Sequence, residues 1–262
     1  MTNLPHITNK QQYILRLLYK YRFMDRIQIQ VLLGHKDKGR SCRWLKDLKA
    51  KNYIGWIYDG TNLASRTKPA VYYIGLSGIR YLRSLDEFPP EELRKRYKES
   101  SRQQPFIDRC LLLANCCLNL EASSSGRKHY SYITESEFTN PESDYNFLSE
   151  LKPHLCFEKT TPNKTTSYLL ESFDNTLPRY RVKKRIKDYV DYLNSGDWEY
   201  EMGSGLPIVL LICPSLAELI YTKRRARTLL DEGQDDEDIH IRVATSEQVK
   251  RQGVTAKIWE EA

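Results

Sequence analysis

The sequence has no apolar stretch long enough to cross a bilayer. Its longest apolar run, "LPIVLLIC" from Leu206 to Cys213, has the length of a buried strand. The amino-terminal "MTNLPHITNKQQ" lacks the apolar core of a signal peptide, so neither export nor a membrane partner is expected, and the chain is expected in the cytoplasm. Cysteine is sparse. The 6 cysteines include the adjacent Cys116 and Cys117 but form no CxxC and no Cys/His set with zinc spacing. They read as reduced thiols, and no metal or other cofactor is expected. The 5 histidines are scattered, which excludes a histidine cluster of the relaxase type.

What the chain does have is basic charge, unevenly placed. Its 262 residues carry a formal net charge of +7. Residues 1–85 hold 16 Lys+Arg against 4 Asp+Glu, a balance of +12; the remainder holds 25 against 30, a balance of −5. Such asymmetry is the electrostatic footprint of a polyanion-binding segment.

The periodicity of that basic third predicts three helices and a hairpin. Asn9 can cap a helix from Lys10 to about Tyr21, with Ile14, Leu15, Leu17 and Leu18 on one face. Asp25 can cap a second, with Ile27, Val31 and Leu32 on one face, which stops at Gly34. A third begins near Ser41 and runs to Lys51, with Leu45 and Leu48 inward. "NYIGWIYDG" and "AVYYIGL" read as strands joined by the polar tip "GTNLASRTKP", and Ser77 caps a last short helix. This is the order of a winged helix-turn-helix, whose third helix enters the major groove while the wing touches the backbone. The DNA-facing set is then Lys36, Lys38, Arg40, Ser41, Arg43 and Lys46 on and before that helix, with Asp47 on the same face, and Arg66 and Lys68 in the wing. A protein-docking winged helix is the alternative, but such modules are usually neutral or acidic on this helix.

Residues 86–104, "DEFPPEELRKRYKESSRQQ", combine paired prolines with mixed charge and read as an exposed linker, with room for a short helix, between a domain at 1–85 and another at 105–262. In the second, "FIDRCLLLANCCLNLEA" is a buried helix. "HYSYITESEF", "KPHLCFEK" and "TTSYLLESFD" are strands, and "PRYRVKKRIKDYVDYLNSG" is an amphipathic helix. "LPIVLLICP" is a central strand, "SLAELIYTKRRARTLLDEG" a helix, "DIHIRVAT" an edge strand and "AKIWEE" a last extended piece. The expected class is therefore two-domain α/β: a winged helix followed by a mixed sheet with helices on its faces.

The order α-β-β-β-α-β-α-β resembles that of restriction-endonuclease-like folds. That chemistry needs a Pro-Asp on one strand and a Glu-x-Lys on the next, since two carboxylates hold Mg²⁺ and the lysine supports the attacking water. Here Pro153 and Glu171 are in place, but His154 stands where the aspartate belongs and Phe173 where the lysine belongs. Imidazole serves Mg²⁺ poorly. Glu137 is a further carboxylate, and Lys183 or Lys184 the candidate for a displaced lysine. Glu137, His154, Glu171 and Lys184 thus outline a degenerate nuclease centre. No catalytic residue is assigned, and the chain is not expected to be an enzyme.

With these pieces in place, the chain resembles the replication-relaxation family of bacterial plasmids and integrative elements. The matching stretches are "QYILRLLYKYRFMDRIQIQVLLG", "RWLKDLKAKNYIGW", "VYYIGLSGIRYL", "FIDRCLLLANCCLNLEA" and "YLLESFDNTLPRYRVKKRIKDYVDYL" before "IVLLICPS". Similar proteins carry an acidic strand end at Leu170 to Asp174; His154 departs from the Pro-Asp that many members keep. The resemblance implies a DNA-binding accessory factor in replication, mobilisation or transposition of a mobile element, or a repressor. Its partners would be double-stranded DNA, a replication, mobilisation or transposition protein, and a second copy of the chain. Two other readings stand beside it: a metal-dependent nuclease with a rearranged centre, and an adaptor that docks a replication or transposition protein.

Tyr180, Tyr189 and Tyr192 read as packing residues, and Cys156 as a small core residue. "KRRAR", Lys223 to Arg227, is either a second phosphate-contacting patch or a solvated helix face. "DEGQDDED" reads as a solvated loop.

Overall fold

The computed structural model describes residues 4–58, 61, 66–140, 142–232 and 239–262. The chain divides into two compact units, Met1–Ala114 and Asn115–Ala262.

In the first unit, α1 (Asn9–Tyr21) is capped by Thr8, not Asn9, through a capping box with Gln11. A two-residue strand β1 (Met24–Asp25) follows, then α2 (Arg26–Leu32), capped by Asp25 as expected. Gly34, with φ +63°, turns the chain into α3 (Lys38–Ala50). Strands β2 (Ile54–Ile57) and β3 (Val71–Ile74) pair antiparallel, and β1 adds to β3, giving the sheet order β1-β3-β2. Helix α4 (Leu76–Arg83) follows Gly75, so Ser77 lies inside it and is not its cap. Three helices, a three-stranded antiparallel sheet and a closing helix thus follow in the expected order. The wing is described at 58, 61 and 66–70; the expected tip at 59, 60 and 62–65 lies outside the described residues.

The expected exposed linker at 86–104 is instead folded into the first unit. It forms α5 (Pro90–Lys95) and a 3-10 turn (Arg96–Ser101), burying Leu93, Glu92, Arg96 and Glu99. The mixed charge that suggested solvent is internally paired. Arg22 Nη2 lies 2.8 Å from Glu99 Oε1, Arg96 Nη1 lies 3.7 Å from Glu92 Oε2, and Arg96 Nη2 donates to the Tyr19 carbonyl at 3.2 Å. Burying these charges singly would be costly, so the network folds as a set. Helix α6 (Gln104–Ser123) begins in the same unit, where Ile107 and Cys110 pack with Phe23, and the units divide within it at 114/115.

The second unit is a six-stranded mixed sheet, β4 (His129–Thr134), β5 (Leu155–Thr161), β6 (Lys164–Ser172), β7 (Ile208–Cys213), β8 (Ile241–Thr245) and β9 (Glu260–Glu261), in that spatial order. The pairs β4–β5 and β5–β6 are antiparallel, β6–β7 and β7–β8 parallel, and β9 closes antiparallel on β8, which is therefore not the edge strand expected. The two parallel steps are bridged by α7 (Arg179–Asn194) and α9 (Leu216–Glu232). Two short helices, α8 (Asp197–Met202) and α10 (Ser246–Gln252), were not signalled by periodicity, being only one to two turns long. One sheet face, with Cys156, Leu169, Phe173, Leu211 and Val243, forms the core with Val182, Ile186 and Tyr189 of α7 and Leu219 of α9. Of the acidic stretch expected as a loop, Asp231 and Glu232 instead end α9, and 233–238 lie outside the described residues.

Candidate functional site

Helix α3 carries the basic surface. Its cap is Asp37, whose Oδ1 accepts the Gly39 N–H at 2.7 Å, so the helix starts three residues before Ser41. That shift settles the facing. Ser41, Leu45 and Leu48 follow at i, i+4 and i+7 and are all buried. Ser41, expected among the DNA-facing residues, therefore points into the fold. Lys36, Lys38, Arg40, Arg43 and Lys46 are exposed, and none has a carboxylate partner among the described residues. Asp47, expected on the same face, is turned to the scaffold: its Oδ2 accepts from Gln11 Nε2 at 2.6 Å and Lys51 Nζ at 2.7 Å. Those two bonds hold its carboxyl below the ordinary range, Lys51 contributing most.

The approach to α3 is fixed as well. Gln30 Nε2 donates to the carbonyls of His35 (3.1 Å) and Lys36 (3.3 Å), and the His35 ring meets Trp44 edge-on at 5.0 Å. Arg66 and Lys68 are exposed where the wing returns to β3. Sequence reasoning missed Lys49, whose Nζ lies 3.5 Å from the centroid of the exposed Trp56 on β2. Trp56 stacks in turn on Tyr58, so the root of the wing offers an aromatic-cationic edge beside the helix.

The four residues of the expected degenerate centre are assembled differently from expectation. Glu171, near the end of β6, is buried, and its Oε2 accepts from Arg185 Nε (3.0 Å), Arg185 Nη2 (2.7 Å) and Tyr189 OH (2.8 Å). Arg185 also donates to the carbonyls of Leu151 (2.6 Å) and Lys152 (2.9 Å), clamping β6 and α7 to the segment before β5. Burial alone would raise the Glu171 pKa. The positive charges of His154 and Arg185 and the bonds from Arg185 and Tyr189 outweigh it, and the carboxyl is held below its ordinary value. Burial beside that carboxylate pushes the Tyr189 phenol well up. His154 Nδ1 lies 3.0 Å from the Ser172 amide and 3.1 Å from Glu171 Oε1. Without a proton on Nδ1 the ring accepts from the amide; with a proton there it donates to the carboxylate. One nitrogen cannot do both.

Of the four outlined residues, His154 and Glu171 are thus brought together, and two are not. Glu137 closes its own turn, its Oε2 accepting from Thr134 N and Oγ1 at 2.9 Å each. Lys184 and Lys183 are exposed on α7; the cation that meets Glu171 is their neighbour Arg185. Phe173, at the lysine position, is core. Tyr189 packs as expected but also bonds the carboxylate. The signal for Arg185 was its i, i+4 spacing to Tyr189 on the buried face. Among the described residues no group of three or more His, Cys, Asp and Glu could hold a metal.

On α9, the basic run lines a groove of about 820 Å³ in which Tyr221 lies between Arg179 (4.8 Å) and Arg225 (5.5 Å). Lys223 is paired with Glu260 at 3.1 Å. Among the described residues no helix is long and apolar enough to cross a membrane.

A family model described as replication-relaxation matches residues 15–205. No curated protein matches the chain. Among solved structures, it is similar to restriction endonuclease FokI at 13% identity and a TM-score of 0.32, covering 95% of this chain and 45% of FokI. A second FokI structure, described as bound to DNA, gives 14% identity and a TM-score of 0.31, covering 94% of this chain and 45% of that one. The chain thus spans less than half the length of these structural neighbours.

Proposed function

The chain belongs to the replication-relaxation family, and from that premise we propose that it is a non-catalytic, double-stranded-DNA-binding accessory factor. It would act in the cytoplasm, in replication, mobilisation or transposition of a plasmid or other bacterial mobile element, by positioning a partner protein or repressing transcription. One observation carries this reading: Lys36, Lys38, Arg40, Arg43 and Lys46, on and just before the third helix of the first unit, form an exposed face without acidic partners among the described residues. Other cations of the unit, such as Arg16, Arg22 and Lys51, are neutralised by carboxylates. An unneutralised face costs self-repulsion and suits a polyanion that releases counterions on binding.

The non-catalytic part of the proposal rests on Arg185. A metal-dependent nuclease keeps its carboxylate open to a cation and a water. Here the guanidinium occupies Glu171 Oε2 through two donors and Tyr189 through a third. The test has two arms. Binding to duplex DNA should fall steeply with salt, by about 0.9 log units per log unit of salt for each phosphate contact; indifference to salt would refute the interface. Purified protein and Glu171→Ala should both leave supercoiled plasmid intact through a manganese titration. Nicking by the wild type that disappears in the variant would overturn the non-catalytic reading.

A further inference from the structure

The face of the six-stranded sheet turned away from α7 and α9 holds a cavity of about 350 Å³. Strand alternation explains it: Leu169, Val209 and Ile241 point into the core with α7, so Tyr168, Leu210 and Arg242 point the other way. The floor is aromatic. Phe157 and Tyr168, directly opposed on β5 and β6, stack at 4.7 Å and 11°, and Tyr130 on β4 lies 6.4 Å from Phe157. The wall opposite is the carboxy-terminal segment, including Lys257 and Trp259.

That wall is fixed by its own bonds. Trp259 Nε1 donates to the Val254 carbonyl at 2.9 Å, and Thr255 donates through N and Oγ1 to Asn119 Oδ1 at 3.1 Å each. Gly253, at φ +87°, lets Asn119 come within 2.4 Å of where a Cβ would stand. A site held this way needs little ordering on binding.

The polar groups are less occupied than the wall. Lys159 and Lys257 line the cavity and have no acidic partner among the described residues. Arg242 gives only Nε to Glu261, at 2.7 Å, and Glu261 offsets part of its charge. The hydroxyls of Tyr130 and Tyr168 have no hydrogen-bond partner among the described residues.

We propose that this cavity binds a nucleotide, either free or as an unpaired residue of a DNA single strand. The half-buried rings of Tyr168 and Trp259 are the ones a base can stack on, and the lysines and arginine beside them take the phosphate. The volume lies near the lower end of the roughly 300–1,000 Å³ of small-ligand sites, which suits one nucleotide. A base inside a duplex cannot reach rings set on the floor of a cavity. The site shares no residue with the α3 face, so its failure and that of the duplex-binding reading are separable.

The test is calorimetric titration of the full chain with dAMP, AMP, inorganic phosphate and a short oligo-dT strand, with duplex DNA as a parallel measurement. Binding of the mononucleotides identifies a free nucleotide; binding of oligo-dT alone identifies an unpaired strand. Trp259→Ala should weaken either by about tenfold, the scale of one stacked base. Lys159→Ala should weaken it and flatten its salt dependence, leaving duplex binding unchanged. Tyr168→Leu removes a ring from the floor and should weaken binding on the same scale, and with Lys159→Ala it decides the matter if Trp259→Ala does not fold. The proposal is overturned if neither ligand binds, if phosphate alone binds equally well, or if folded variants bind as the wild type does.

Discussion

Arg185 holds Glu171 Oε2 through two donors, Nε at 3.0 Å and Nη2 at 2.7 Å, and so places a fixed cation against a buried carboxylate. The same guanidinium binds two backbone carbonyls, so removing either partner disturbs the junction of β6, α7 and the segment before β5.

The pair makes stability depend on pH in a defined direction. The folded Glu171 carboxyl lies below its ordinary value. Its contribution is therefore complete above the unfolded pKa of about 4.3 and is lost as pH falls through the depressed folded value. Glu171→Gln should cost about 3 kcal/mol at pH 7, the scale for breaking a buried pair. That gap should narrow as the wild type protonates. Thermal melts at pH 7 and at pH 3 check it, and an equal gap at both would refute it.

Arg22→Ala should be far more damaging than its charge suggests. It strips a buried Glu99, whose side chain is 0% exposed, of its nearest cation. We expect a loss of about 3 kcal/mol in urea unfolding. Lys187→Ala removes a closer pair, 2.6 Å to Asp191, but both side chains are more than half exposed, and about 0.3–0.5 kcal/mol is expected. Equal losses would show that the folded 86–104 segment does not depend on its ion network.

Gly78→Ala should destabilise despite alanine's better helix propensity of about 1 kcal/mol. A Cβ at Gly78 would stand 2.3 Å from the Tyr53 carbonyl oxygen, which is backbone and cannot rotate away. A net loss of about 1–3 kcal/mol is expected from overpacking. A rise in melting temperature would mean that α4 can move off β2.

On DNA, Arg43→Ala should lose about 1–3 kcal/mol on the cognate site and little on random duplex, as a base-reading residue does. Lys68→Ala, in the wing, should weaken both about equally. Competition binding at fixed salt separates the two, and identical behaviour would mean that the recognition helix is misassigned.

Much of this molecule is determined locally. The helix faces of α1 and α7, the stop at Gly34 and the central strand around Leu210 follow from spacing and burial, because each residue's role there depends on near neighbours. The basic bias of residues 1–85 likewise follows from composition. Tertiary structure decided the rest. Whether Ser41 faces DNA or core depended on a helix start at Lys38, set by the Asp37 cap four residues before Ser41. The charges of 86–104 looked solvated because their partners, Arg22 and Tyr19, lie more than seventy residues away. Arg185 rather than Lys184 meets Glu171 because one step along α7 turns the side chain by about 100°, and only the packed sheet fixes which side faces β6.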